Sequence, residues 1–382
     1  MPCKHLQESF TRGHPCVVAG PMSTYSGRAL ERYACQPSLT DDVRSNGLAS
    51  ADRCRGAHRG AHALLSAMGQ AGITRLYFVG ESLSFEHAFY AGCHARAVWQ
   101  QRQRRQQQQH GEAPHERDRV HSDDGWQKPS WAWAEPFRAE KNGRVTRCIQ
   151  FAATPPVQPL EHQICFVAAG SVEHPSPMHR LLHTFEPAQA LRQMLRQNVT
   201  RATDLAVVSA GVDWFGHGAA GDAEHLRVAT EVAQLAKEAA AGHQPRMPHL
   251  IWREALATHF PTPDGLYNLS ASWMTVEGTK RLLRTAVNRT SKRLVPDRLC
   301  PPLADSGRRQ PAVLEDVLRV MRAANVKVME AWPMSARANN AHSFAHNAPT
   351  PSVLDCVHYC LFTGLFELLT EALMLQMASI EP

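Results

Sequence analysis

The chain has 382 residues, 43% of them hydrophobic, which is enough for one large domain or two ordinary ones without cross-links. The formal charge of +6 is modest for this length, and much of the basic excess lies in one Arg/Gln-rich run, so nucleic-acid binding is not expected. No apolar run reaches the length of a membrane span.

Residues 1–60 are predicted to form a loop-rich N-terminal lobe, because they are rich in Gly, Ser, Arg and Pro and show little periodicity. Four of the ten cysteines, Cys3, Cys16, Cys35 and Cys54, lie there and are able to cross-link the lobe. The cysteines form no CxxC pair, so a structural zinc or another metal site is not expected. Residues 61–382 are assigned to the main domain.

The main domain begins with a predicted helix at 62–70 and a strand, turn and helix around a serine. An apolar run at 76–79 meets Gly80 and Ser82, and residues 85–90 continue at helical spacing. This pattern places Ser82 at the carboxyl end of a strand, beside helix N–H groups that can stabilise an oxyanion. Alone, a Gly-x-Ser turn is more often an ordinary connection between a strand and a helix.

The remaining chain alternates predicted strands and helices. A polar Gln/Arg-rich stretch at about 100–125 is predicted to be a disordered insertion. Strands are expected at 144–153, 163–169, 204–211, 249–252 and 326–331, and helices at 187–197, 222–240, 313–323 and 361–377. This order predicts a parallel sheet covered on both sides, with its site at the carboxyl ends of the strands, where Ser82, Gly211 and the segment after Trp252 fall.

A serine nucleophile requires a base, and the chain has 21 histidines from which to choose. Asp355 and His358 stand three residues apart in a predicted turn before the last helix, so one loop is able to deliver both an acid and a base. Taken singly, His358 is more often a surface or capping residue.

Four segments resemble the plant trichome-birefringence-like proteins, which belong to the PC-esterase group of SGNH (GDSL-type) hydrolases. The segments are Val79-Gly-Glu-Ser-Leu-Ser84, residues 204–214, Trp252-Arg-Glu-Ala-Leu-Ala-Thr-His-Phe260 and Asp355-Cys-Val-His-Tyr-Cys360. They occur in the family's order and approximate spacing, and the resemblance runs from about residue 16 to the C-terminus, apart from the insertion. The last segment is the most specific, since it departs from the family motif only at Tyr359, where the family has Trp.

The resemblance implies a three-layer α/β/α SGNH-hydrolase-like domain with a central, mainly parallel sheet. It also implies transfer of an acetyl group to a cell-wall polysaccharide hydroxyl through an acyl-serine intermediate in the Golgi lumen. Ser82 is then the nucleophile, His358 the general base and Asp355 the carboxylate that orients it. The expected oxyanion hole comprises the backbone N–H groups of Ser82 and Gly211, with Ser209 beside them, and the expected substrate-binding residues are Arg253, Trp214 and His259. For Arg253, a structural ion pair is an equal alternative.

Three departures from the family keep other functions open. The family's Gly-Asp-Ser is Gly-Glu81-Ser here, Phe85 stands where the family has Arg, and Ser209 replaces the amide expected in the oxyanion hole. Loss of such a donor costs on the order of 3 kcal/mol of transition-state stabilisation. The alternatives are a carbohydrate acetylesterase, in which water is the acceptor, and a non-catalytic carbohydrate-binding or scaffold relative.

Compartment and partners follow the same resemblance. Asn198, Asn268 and Asn288 begin glycosylation tripeptides, which favours a secretory location, yet the N-terminal residues lack the apolar segment of a signal peptide. The expectation is therefore either a membrane anchor outside this chain or a different compartment. Cys356 and Cys360 are expected either to pair with upstream cysteines or to be buried free thiols. We expect a monomer with a glycan acceptor and no tightly bound cofactor, with acetyl-CoA as one candidate acyl donor.

Overall fold

The computed structural model describes most of the main domain. The described residues are 64–92, 95, 146–151, 161–169, 186–211, 218–262, 264–266, 276–286, 298–303, 311–339, 342–345, 354–359 and 365–380. The predicted N-terminal lobe at 1–60, the Gln/Arg-rich insertion at about 100–125, Trp214 and Cys360 lie outside these residues.

A six-stranded sheet forms the centre of the described domain, in the order β2-β3-β1-β4-β5-β6. Five of its strands run parallel, and β2 pairs antiparallel with β3 at one edge. The prediction of an α/β fold with a mainly parallel sheet is thus confirmed. The strands are β1 (Arg75–Gly80), β2 (Thr146–Phe151), β3 (His162–Ala168), β4 (Leu205–Val208), β5 (His249–Arg253) and β6 (Lys327–Met329).

The two central strands are apolar over most of their length, because helices and neighbouring strands exclude water from them. Leu76 to Val79 in β1 and all of β4 are buried. Strand β1 lies between β3 and β4. The chain therefore adds β2 and β3 on one side of β1 and then crosses to add β4, β5 and β6 on the other side. The crevice at such a change of direction, outside the carboxyl ends of the strands, is where ligands of open α/β sheets bind. Ser82 follows β1 at this place.

Helices connect most of the strands, and the bounds of the predicted ones agree closely with the structure. Helix α4 packs against α3 and α6, and α8 contacts β6 and α7. Helix α5 was not predicted from the sequence. The helices are α1 (64–70), α2 (82–92), α3 (Pro187–Arg196), α4 (Gly218–Ala240), α5 (Val276–Ala286), α6 (Ala312–Ala323), α7 (Trp332–Ser335) and α8 (Leu365–Met377).

One sequence prediction is wrong in a way that concerns the site. Residues 355–358, predicted to form a turn, lie in a strand, β8 (Leu354–Tyr359), which pairs antiparallel with β7 (His342–Ala345). The hairpin is a separate two-stranded sheet that precedes α8. It therefore replaces the expected loop as the element that carries His358.

Two disulfides join elements of the described domain. Cys148 and Cys165 face each other on β2 and β3, and Cys300 is bonded to Cys356 of β8. Of the two alternatives for Cys356, the structure has the pairing with an upstream cysteine. Among the described helices, none combines the length and the apolar character that crossing a membrane requires.

Candidate functional site

Ser82 begins helix α2 immediately after β1, as the sequence predicts. The Glu81 carbonyl accepts hydrogen bonds from the N–H groups of Ser84 and Phe85, at 3.0 Å each, and so closes the first helical turn. Gly80 permits the turn, because a Cβ atom there would lie 2.4 Å from the Ser209 carbonyl oxygen and 2.4 Å from Ser84 Oγ. The close approach of β4 to the turn thus requires a residue without a side chain.

His358 reaches Ser82 from the hairpin. Its Nε2 atom lies 2.8 Å from Ser82 Oγ, although 276 residues separate the two in the chain. Both side chains are half-buried. An imidazole nitrogen at this distance is able to take the proton of a serine hydroxyl when the serine attacks an acyl carbon.

Asp355 also lies on β8, where it pairs with Phe344. The hairpin is irregular at this point, because four positions separate Asp355 from Tyr359 on β8 whereas two separate their partners on β7. The contacts of the Asp355 side chain lie outside the description.

Arg253, at the end of β5, is buried beneath the serine turn, with 1% of its surface exposed. Its Nη1 donates to the Leu83 carbonyl at 3.1 Å, and its Nη2 donates to Ser84 Oγ at 3.3 Å and to Ser209 Oγ at 3.0 Å. Every one of these acceptors belongs to the protein interior. The predicted role of Arg253 in substrate binding stays a prediction, whereas the contacts themselves join two segments of the site.

The charge of Arg253 is balanced by carboxylates. Burial lowers the pKa of Arg253 to about 10, and the nearby carboxylates of Glu81 and Glu86 act in the opposite direction. Both glutamates are themselves buried. Glu81, which replaces the family's Asp, therefore lies inside the protein and contributes to the environment of Arg253. His87 Nδ1 lies 3.4 Å from Nη1, and burial together with the positive charge of Arg253 lowers the pKa of His87 well below its usual value.

The segment 209–211 follows β4 alongside the serine turn. The Ser209 N–H donates to the Val79 carbonyl at 3.0 Å, which continues the β1–β4 pairing. The Ser209 side chain is buried, and its hydroxyl accepts from Arg253. Gly211 has φ +114°, and a Cβ atom there would lie 2.2–2.6 Å from three ring atoms of His225. The histidine of α4 thus fills the space under Gly211.

Sequence reasoning did not single out His225. The ring is buried, which lowers its pKa to about 4, while the Ala210 backbone carbonyl acts in the opposite direction. The signal was present, since a histidine among the apolar positions of an amphipathic helix points inward.

His259 is fully buried within the hairpin packing. Its Nδ1 lies 2.7 Å from His342 Nε2, and its Nε2 lies 3.2 Å from the Ala336 carbonyl oxygen. His342 Nδ1 in turn lies 3.0 Å from the carbonyl oxygen of His358. Burial lowers the pKa of His259 to about 4. These contacts tie the loop after β5 to the strand that carries His358, and the predicted role of His259 in substrate binding stays a prediction.

The arrangement brings a serine, an imidazole and a helix N-terminus together at the carboxyl end of a central strand. In the described part of the chain, His, Cys, Asp and Glu side chains form no group of three or more that would suit a metal ion. Comparisons with protein-family models, curated proteins and solved structures returned no match. The family resemblance therefore depends on the four sequence segments alone.

Proposed function

We propose that the protein is a serine-dependent acyltransferase that transfers an acetyl group to a hydroxyl of a polysaccharide. The observation that carries the proposal is the 2.8 Å distance between Ser82 Oγ and His358 Nε2 at the N-terminus of α2. A serine and an imidazole within hydrogen-bond reach are what nucleophilic acyl transfer requires. The proposed overall architecture is the three-layer α/β/α arrangement of the SGNH hydrolases.

The proposed reaction has two half-reactions that use the same groups. In the first, His358 takes the Ser82 proton while Oγ attacks the acyl carbon, and the imidazolium then protonates the departing group. In the second, His358 takes a proton from the acceptor hydroxyl, whose oxygen attacks the acyl-serine, and the imidazolium returns the proton to Ser82 Oγ as the bond between Oγ and the acyl carbon breaks. The backbone N–H groups of Ser82 and Gly211 are the proposed oxyanion donors, and Asp355 is the proposed carboxylate behind the base.

The choice of a glycan acceptor is supported by the resemblance to the trichome-birefringence-like proteins. Trp214 is the proposed glycan-binding residue, and acetyl-CoA is one candidate donor. A Golgi or secretory location is proposed on the same basis. The two disulfides support it, since disulfides persist mainly in oxidising compartments.

The test has two stages, each with its own readout. Hydrolysis of an activated acetyl ester by wild type, Ser82→Ala and His358→Gln shows whether the serine acts, because both variants are expected to lose at least about a hundredfold in kcat. Equal turnover by wild type and Ser82→Ala would refute Ser82 catalysis and favour a non-catalytic carbohydrate-binding protein.

Incubation with an acetyl donor and a xylan or pectin oligomer then identifies the acceptor. Acetylated oligomer, detected by mass spectrometry, is the expected product. Free acetate without acetylated oligomer would instead identify an esterase, in which water takes the place of the sugar hydroxyl.

A further inference from the structure

Two of the segments on which the proposed reaction depends are joined by one buried side chain. Leu83 and Ser84 directly follow Ser82 in the first turn of α2, and Ser209 begins the segment that leads to Gly211. Arg253 contacts both segments from below, through its two terminal nitrogens.

We propose that Arg253 is a positioning residue, which sets the distance between the nucleophile turn and the segment 209–211. This inference rests on the proposed acyl-transfer reaction, and it concerns a role that is separate from substrate binding. Arg253 is buried, and its hydrogen-bond acceptors belong to the protein, so it acts through Leu83, Ser84 and Ser209.

The shape of the guanidinium explains why this position carries arginine. Its nitrogens are held in one plane at fixed angles, so groups bonded to the two ends are held at a fixed separation. Nη1 bonds to the main chain of α2, while Nη2 is shared between hydroxyls on the two segments. A lysine would keep the charge but present a single nitrogen. It is not able to hold both segments in the same geometry.

Geometry at this place matters because the serine oxygen and the oxyanion donors must act on the same acyl carbon. A displacement of about 1 Å in such a site lowers the rate by about a hundredfold. The interactions gained in the transition state are then weakened, whereas binding of the ground-state substrate changes little. The expected signature is a lower kcat with an unchanged KM.

Glu254 offers a matched control, because it is the next residue on the chain and is equally buried. Its carboxylate accepts from the N–H groups of Ala331 and Trp332, at 2.9 and 2.8 Å, and so holds the start of α7. Removal of Glu254 is therefore expected to lower stability without changing kcat per folded molecule.

The experiment measures kcat and KM for p-nitrophenyl acetate in wild type, Arg253→Lys, Ser84→Ala, Ser209→Ala and Glu254→Gln, with circular dichroism to quantify the folded fraction. Arg253→Lys is expected to lose at least about tenfold in kcat, with KM within about twofold of wild type. Each serine variant removes one acceptor and is expected to show a smaller loss of the same kind.

The outcomes separate this inference from the proposed function. If wild type and Ser82→Ala turn over equally, the proposed function fails, and this inference fails with it. If turnover depends on Ser82 but folded Arg253→Lys matches wild type or Glu254→Gln in kcat, the inference alone is wrong. If Arg253→Lys does not fold, the two serine variants decide. A kcat equal to wild type in both overturns the inference, and a loss in kcat with unchanged KM supports it.

Discussion

Acidification is expected to destabilise the protein through buried histidines, well before its surface carboxylates become protonated. His225 and His259 are buried, and burial lowers the pKa of each to about 4. An unfolded imidazole binds its proton near pH 6.5. Between these two values the unfolded chain binds more protons than the folded one, so stability falls as the pH decreases from about 6.5 towards 4.

The magnitude follows from the two pKa values of each group. At pH 5 each histidine is expected to contribute a loss of about 2 kcal/mol in the free energy of unfolding. Glu254 acts in the opposite direction, because burial raises its pKa to about 6 and the folded state then binds its proton first. Its offset at pH 5 is about 1 kcal/mol, so the expected net loss from these three groups is about 3 kcal/mol.

Urea unfolding of wild type at pH 7.5 and pH 5 measures the total pH dependence, to which other buried histidines such as His87 add in the same direction. The variant His225→Asn isolates the contribution of one ring, so the difference between the two pH values is expected to shrink by about 2 kcal/mol. Comparison of pH 8.5 with pH 7.5 is the internal control, since both rings are neutral there in either state. An unchanged pH 7.5-to-5 difference in His225→Asn would refute the reasoning.

Two further predictions concern the turn and the disulfides. Gly80→Ala is expected to destabilise the protein by about 2 to 3 kcal/mol and to lower any Ser82-dependent activity, because the new methyl group would overlap the Ser209 carbonyl; urea unfolding and kinetics measure both effects. Removal of the Cys300–Cys356 disulfide by paired alanine substitution is expected to lower the free energy of unfolding by about 4 kcal/mol. The disulfide joins residues 56 positions apart, so its loss raises the conformational entropy of the unfolded chain; urea unfolding measures the effect.

Controls for these predictions are available in the same chain. Gly69 lies inside α1, where an added Cβ would make only an ordinary 3.7 Å contact, so Gly69→Ala is expected to be neutral or slightly stabilising. The Cys148–Cys165 disulfide spans 17 residues, and its removal is expected to cost about 3 kcal/mol. A destabilisation by Gly69→Ala equal to that by Gly80→Ala would contradict the first argument, and a greater cost for the shorter disulfide would contradict the second.

The parallel sheet was predictable because burial on both faces leaves a simple trace in the sequence. Strand β4 reads as a continuous apolar run that is followed by small residues, and α4 carries apolar side chains at helical spacing. The order of the strands was not predictable in the same way. Strands that are apolar on both faces have similar sequences, so the sequence does not show which strands are neighbours. The packing of the whole domain determines that order.

The hairpin was missed for a different reason. Strand β7 has only four residues, and its irregular pairing with β8 disturbs the alternation of polar and apolar residues by which a strand is recognised. The pattern around His358 consequently resembles a turn. Its pairing with Ser82, across 276 positions, was suggested by the order of motifs and not by local physics.

Arg253 shows why the chemistry of a buried charge is hidden from local sequence. An arginine is ordinarily exposed, because removing its charge from water is costly. Here the free-energy cost of removing the Arg253 charge from water is offset by the folded protein. Leu83, Ser84 and Ser209 supply hydrogen-bond acceptors, and Glu81 and Glu86 supply negative charge. These groups come from segments up to 172 residues away, and none of them marks Arg253 as internal in the linear chain. A polar residue at the carboxyl end of a strand therefore has two possible roles: it contacts the substrate, or it is buried and holds together the segments that form the site.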